Sequence, residues 1–242
     1  MSEKHREMAE HICTFTARNT LRMALSIVGL TCFDLASIVD AAEQHFFISI
    51  PTLSVATEDG SLVGTTGIWA IQIDRLSEPM GLVVQFNEGS RAFGPLKGRA
   101  LEPDSKEAAR TAVLAACKIL AEDPRTWRVT FKEVSTAYLI GGPSAGGGIA
   151  VALVAAFRGV TLQPGVIMTG AITSDGLIMP VGELPTKIGA AAAAGLSTVL
   201  IPVGQARTAN WDLWVLAEKL GVTIIEVATL KDAYERMTGQ SF

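Results

Sequence analysis

Gly141-Gly142-Pro143-Ser144-Ala145-Gly146-Gly147-Gly148 decides how the rest of the chain is read. An apolar helical stretch follows, then a hairpin, then Gly182-Glu183-Leu184-Pro185-Thr186-Lys187. Ser144 sits in a glycine-rich turn that opens a helix, where backbone N–H groups are unpaired and the helix dipole is positive. A developing oxyanion beside it would be stabilised there. Pro143 has no N–H to give, so the expected donors are the backbone N–H groups of Ser144 and Ala145. A second helix is predicted over residues 185–194, with Pro185 preset for its first position and Gly195 as its stop. Lys187 falls in the first turn of that helix, where the dipole disfavours an ammonium. Desolvation by the Ala-rich surroundings would lower its pKa further. A lysine neutral near pH 7 can take the proton of a serine hydroxyl, so the two residues read as a Ser–Lys dyad.

Taken singly, a G-x-S-x-G match is most often only a tight turn, and a lysine near a helix start a solvated charge. What lies between them adds weight. The stretch resembles the proteolytic domain of Lon proteases, the Ser–Lys peptidases. Gly142-Pro143-Ser144-Ala145-Gly146 matches the family's nucleophile segment, with Gly141 where the family has Asp. Met168-Thr169-Gly170-Ala171-Ile172-Thr173 matches a second segment, with Ala171 in place of Glu, and Gly176-Leu177-Ile178-Met179-Pro180-Val181-Gly182 matches a third. The interval from Ser144 to Lys187 aligns without a gap, and the likeness is close over residues 143–202. It implies Ser144 as nucleophile, Lys187 as general base and Thr169 as the hydroxyl that holds the amine. Other departures are Pro185-Thr186 in place of a Lys-Glu pair, and Gly147 and Gly148 in place of aliphatic or small residues. No catalytic role is deleted, but two carboxylates near the site are gone.

Outward from this stretch, residues 1–46 read as a helical extension, with Met8, Ile12 and Phe15 at three-to-four spacing. This part lies outside the resemblance. From residue 47 the pattern turns to strands at 48–56, 68–73 and 82–86, with turns at Glu58-Asp59-Gly60 and Ser77-Glu78-Pro79. Residues 88–98 read as loop or twisted hairpin. Asp104-Ser105 is expected to cap a helix running to Glu122, with Ala109, Ala112, Val113, Ala116 and Leu120 on one face. Residues 127–131 alternate as a half-buried strand, and Tyr138-Leu139-Ile140 leads into the nucleophile turn. Beyond Lys187 come a strand at 198–201, a helix at 210–220 stopped by Gly221, a strand at 222–227 and a helix at 230–237. Trp211 and Trp214 read as core or interface anchors. Strands first, then alternating helices and strands, fit an α+β (mixed α/β) class. The resemblance implies a single Lon-like proteolytic domain over residues 47–242.

The chain has 242 residues, 49% of them hydrophobic and 18% charged. Apolar surface hidden in an oligomer, or an Ala-rich core, would give that balance. A net charge of −4 without a Lys/Arg cluster argues against a nucleic-acid partner. Cys13, Cys32 and Cys117 form no disulfide framework or metal spacing, which fits a reducing cytoplasm. His5, His11 and His45 have no partner ligand at metal spacing, so no metal and no cofactor is expected. No stretch reaches the about 18 apolar residues of a membrane span. The nearest, residues 23–33, makes a poor signal peptide because Glu3, Glu7 and Glu10 precede it.

An α/β-hydrolase would need a histidine after its serine, and none follows His45. A chymotrypsin-like order starting at His45 has no supporting residues around it. The P-loop spacing is absent from this sequence. Two alternatives stay open: a non-catalytic Lon-fold assembly module, and a small-molecule kinase-like domain with a Gly-rich helix start. The expected activity is a serine endopeptidase acting on unfolded or loosely folded polypeptides, without its own ATPase or with a separate one. The resemblance further implies substrate bound extended along a strand edge, and a ring-shaped homo-oligomer, expected to be a hexamer.

Overall fold

The computed structural model describes residues 44–87, 100–135 and 139–242. Strand β1, Gln44–Glu58, and strand β2, Ser61–Arg75, form one long antiparallel hairpin paired from Gln44↔Arg75 to Glu58↔Ser61. Asp59 and Gly60 close it with φ of 49° and 77°. Two left-handed residues match the twist of the strands they join, which is why Asp-Gly is favoured there. The hairpin begins at Gln44, so residues 44–46, expected in the helical extension, belong to the sheet. Of that extension, residues 1–43 lie outside the described residues, as do residues 88–99 and Tyr138.

Strand β3 is Val83–Phe86, β4 is Ala100–Leu101 and β5 is Trp127–Ser135. β5 runs antiparallel to β2 and parallel to β3, giving a four-stranded sheet in the order β1-β2-β5-β3. Trp69, Ile71, Ile73, Trp127, Val129 and Phe131 alternate onto its buried face, as period-two patterning requires. β6, Leu139–Ile140, pairs in parallel with β4 and leads into the Ser144 turn. β7, Val166–Met168, β10, Thr198–Pro202, and β11, Thr223–Val227, make a parallel three-stranded sheet in the order β11-β10-β7. β8, Ala171–Ile172, and β9, Ile178–Met179, form a small hairpin. The mixed class expected from the sequence is the class observed.

The helices are α1, Pro103–Leu120; α2, Gly146–Phe157; α3, Leu184–Ala193; α4, Leu213–Leu220; and α5, Leu230–Thr238. α2 is buried on every side from Gly146 to Ala156. It carries no charge and no polar stripe, so it can only be a central helix. It packs against β1, α1 and α5. A second apolar cluster, including Leu53, Ile167, Leu184, Ile188, Val199, Ile201 and Leu213, joins α3 and α4 to the parallel strands.

Two helix starts differ from expectation. Neither Asp104 nor Ser105 is the N-cap of α1: Pro103 starts the helix, the N-cap is Glu102, whose side chain makes no capping bond, and Asp104 Oδ1 accepts from the Ser105 N–H within the first turn at 2.8 Å. α4 starts after Asp212 rather than at Asn210, because the Asp212 carboxylate accepts from the N–H groups of Trp214 and Val215. Trp211 therefore precedes the helix, and its ring N–H donates to the Gln205 carbonyl. Gly221, at φ 67°, stops α4 where expected.

Candidate active site

Ser144 is half-buried on the turn between β6 and α2. The turn closes with the Gly146 N–H donating to the Pro143 carbonyl at 3.0 Å. Its entry requires Gly142, whose φ of 87° a side chain would strain. The start of α1 grips that residue from both sides. The Gly142 N–H donates to Asp104 Oδ2 at 2.9 Å, and Ser105 Oγ donates to the Gly142 carbonyl at 3.2 Å. These are the two side chains that local sequence logic assigned to a helix cap.

On its far side the turn is bonded to the segment after β7. The Gly170 N–H donates to the Ser144 carbonyl at 2.8 Å, and the Gly147 N–H returns to the Gly170 carbonyl at 2.9 Å. Thr169, one residue before, donates its own N–H to the Leu200 carbonyl of β10 at 3.0 Å. Backbone pairing thus brings Ser144 and the Thr169 segment together. The approach is close: a Cβ on Gly147 would lie 2.5 Å from Met168 Cε and 3.1 Å from the Gly170 oxygen. Among the described residues, no carbonyl or side chain accepts from the N–H of Ser144 or of Ala145, which leaves both donors pointing at no internal partner beside the hydroxyl.

Thr169 is 1% exposed, and its Oγ1 is a buried oxygen with no hydrogen-bond partner. A hydroxyl left unpaired in the interior is costly and calls for an explanation. Lys187 is 6% exposed on α3, between the buried Leu184 and Ile188. α3 starts one residue earlier than expected, at Leu184, with Pro185 in its first turn and Glu183 as an N-cap in the left-handed region at φ 57°. The Lys187 N–H donates to the Glu183 carbonyl at 3.0 Å. Burial holds the Lys187 amine down at about 8, against an ordinary 10.5, partly offset by the negative charge of Glu183. Among the described residues no carboxylate pairs with the amine, and no hydrogen bond joins it to the hydroxyl of Ser144 or Thr169.

The remaining candidates fall away from this region. His45 Nδ1 lies 2.8 Å from Asp74 Oδ1 on the first hairpin. Cys117 is buried and free, and burial pushes its thiol up to about 12, which makes it inert as a nucleophile. Among the described residues no cluster of side chains could hold a metal ion, and no helix is long and apolar enough to cross a membrane.

Residues 102–233 match the family of the Lon protease (S16) C-terminal proteolytic domain. The chain is 35% identical to the Lon protease of Methylocella silvestris over 138 residues, which is 53% of this chain and 17% of that protein. It is 31% identical to the archaeal Lon protease of Archaeoglobus fulgidus over 169 residues, 67% of this chain and 27% of that one. Against Lon protease 1 of Myxococcus xanthus identity reaches 51% over 61 residues, 25% of this chain and 8% of the other. Each match spans less than a third of the relative's own length.

Proposed function

Because the chain belongs to the Lon protease (S16) C-terminal proteolytic domain family, we propose that it is a serine endopeptidase with a Ser144–Lys187 dyad. The observation that carries this reading is a buried lysine amine held at about 8 without a carboxylate partner. A surface lysine would stay charged, whereas this one is about a tenth neutral at pH 7 and half neutral near pH 8, and can act as a base.

In the proposed reaction Lys187 Nζ takes the proton from Ser144 Oγ as that oxygen attacks the scissile carbonyl carbon. The N–H groups of Ser144 and Ala145 receive the oxyanion. On collapse the C–N bond breaks, the leaving amine takes the proton from Lys187, and an ester to Ser144 remains. Water, deprotonated by the Lys187 amine, then attacks the ester; its C–O bond to Ser144 breaks, the acid leaves, and Ser144 Oγ takes the proton back from Lys187. Thr169 Oγ1 orients the amine. Its lack of an internal partner suits that role, since catalytic hydrogen bonds often tighten only with substrate bound.

The substrates proposed are unfolded or loosely folded polypeptides, bound extended against a strand edge through main-chain pairing. The cleavage proposed for these residues, which hold no P-loop, needs no ATP or draws on a separate ATPase. Homo-oligomerisation into a ring is proposed from the family. Trp214 and Val215, apolar and 44% and 47% exposed on α4, supply surface for it. The setting proposed is the cytoplasm. Incubation with an unfolded protein, with and without ATP, tests the proposal. Wild type should cleave in both, and Ser144→Ala and Lys187→Ala in neither. Turnover unchanged from wild type in both variants would refute it, and a wild type that cleaves nothing would leave the non-catalytic assembly module as the better reading.

A further inference from the structure

Val181 lies between β9 and α3, on the way to Lys187, and belongs to no strand. Its backbone is nevertheless paired at both polar groups, by a single side chain. Gln205 Oε1 accepts from the Val181 N–H and Gln205 Nε2 donates to the Val181 carbonyl, both at 2.9 Å. A carboxamide carries both functions and can close such a pair. Gln205 is itself held in place. Its carbonyl accepts from the Trp211 ring N–H at 2.9 Å, and the next N–H, of Ala206, donates to Glu226 Oε1 at 2.9 Å. The residues after Val181 have less to fix them. Gly182 and Glu183 are exposed, and Glu183 holds its left-handed φ of 57° with no capping bond from its side chain. The pair is therefore anchored from its two ends, by the buried Leu184 on one side and by the Gln205 clamp on the other. The same stretch of chain serves Thr169, whose N–H donates to the Leu200 carbonyl of β10 at 3.0 Å.

We propose that Gln205 is a positioning residue for Lys187: its amide fixes the lead into α3, and with it the depth at which the lysine amine is buried. This deepens, and rests on, the reading of Lys187 as the base. Because β10 also holds Thr169, one strand and its exit turn set both groups from a common support. The charge that acts on the amine, that of Glu183, lies within the clamped lead. Loosening the clamp frees the start of α3 and lets water reach the amine, and a solvated amine returns towards its ordinary 10.5.

The test compares wild type, Gln205→Met and Gln205→Asn with Thr229→Ala, a control that removes the side-chain cap of α5. Each is read as kcat and KM against pH on fluorescein-labelled unfolded casein. Tm is followed between about pH 8 and 10.5, with and without Lys187→Met. Gln205→Met keeps the length and loses both bonds. It should lose about tenfold in kcat with KM held within about twofold, and its pH midpoint should move above the wild-type value of about 8. The rise of Tm with pH that Lys187 contributes should shrink in step. Gln205→Asn, a methylene short, should change in the same directions by less. Thr229→Ala should lower Tm and leave the midpoint alone. A wild-type midpoint in Gln205→Met, an equal shift in Thr229→Ala, or failure of both Gln205 variants to fold would overturn the proposal. Should wild type and Ser144→Ala behave alike on casein, the peptidase reading fails and the Tm comparison alone decides. A diminished Lys187 contribution in Gln205→Met then supports the role of Gln205, and an undiminished one overturns it.

Discussion

Lys187 is the residue on which pH acts. Its amine has an ordinary value of 10.5 in the unfolded chain and sits at about 8 in the fold. Cleavage should therefore rise with pH through a half-maximum near 8, as the neutral base is populated, and a profile flat from pH 6 to 10 would exclude Lys187 as the base. The stability consequence has its own sign. Between about pH 8 and 10.5 the unfolded chain binds the proton that the folded chain has released, so stability rises with pH across that window. Below it, the cost of burying the charge is fully present, on the order of 3–4 kcal/mol. Lys187→Met should consequently raise Tm at pH 7 while abolishing cleavage, with the gain shrinking towards pH 10.5; a variant less stable at pH 7 would contradict the assignment. Thr169→Val should separate the same two properties. It removes a buried hydroxyl that has no partner, so stability should be unchanged or higher. Activity should fall by about tenfold if that hydroxyl orients the base. A denaturation midpoint measured beside kcat/KM checks both.

At the scale of elements, the start of α2 is where packing and chemistry meet. Gly147 has the Gly170 carbonyl and Met168 against it, whereas Gly189, inside α3, has no atom within 4 Å of the Cβ it lacks. Gly147→Ala should cost about 1–3 kcal/mol by overpacking and displace Ser144. Gly189→Ala should stabilise by about 0.5–1 kcal/mol through helix propensity. Urea midpoints moving in opposite directions would bear this out. These elements also mark how much was legible beforehand. The all-apolar run of α2, the Asp-Gly hairpin and the glycine stops at Gly195 and Gly221 are local signals, and each can be read from a few adjacent residues. Lys187 and Thr169 were picked out through a family pattern, and the Ala-rich run around Lys187 pointed to its desolvation, whereas the unpaired Thr169 hydroxyl is not visible in a string of letters. What could not be read is long-range. Asp104-Ser105 before a helix is sound capping chemistry, and Asp104 Oδ1 does accept from the Ser105 N–H, but Pro103 starts the helix and both side chains also reach Gly142. Asn210 and Asp212 are both good caps, and sequence alone could not choose between them.

For the whole molecule, the proposed site draws a buried lysine, an unpaired threonine hydroxyl and two N–H groups at a serine turn from separate segments of the chain. Light scattering should return a mass that is a multiple of the 25.5 kDa chain, since the exposed Trp214 and Val215 need covering; a monomer at micromolar concentration would remove the oligomer proposal. The most direct measurement of the central claim is the pH-dependent rate at which a fluorophosphonate modifies the chain, with the adduct located by mass spectrometry. The account predicts one adduct, on Ser144, forming faster as pH rises through about 8 and not forming in Lys187→Ala. An adduct on another residue, or labelling of Ser144 at an equal rate in Lys187→Ala, would contradict it.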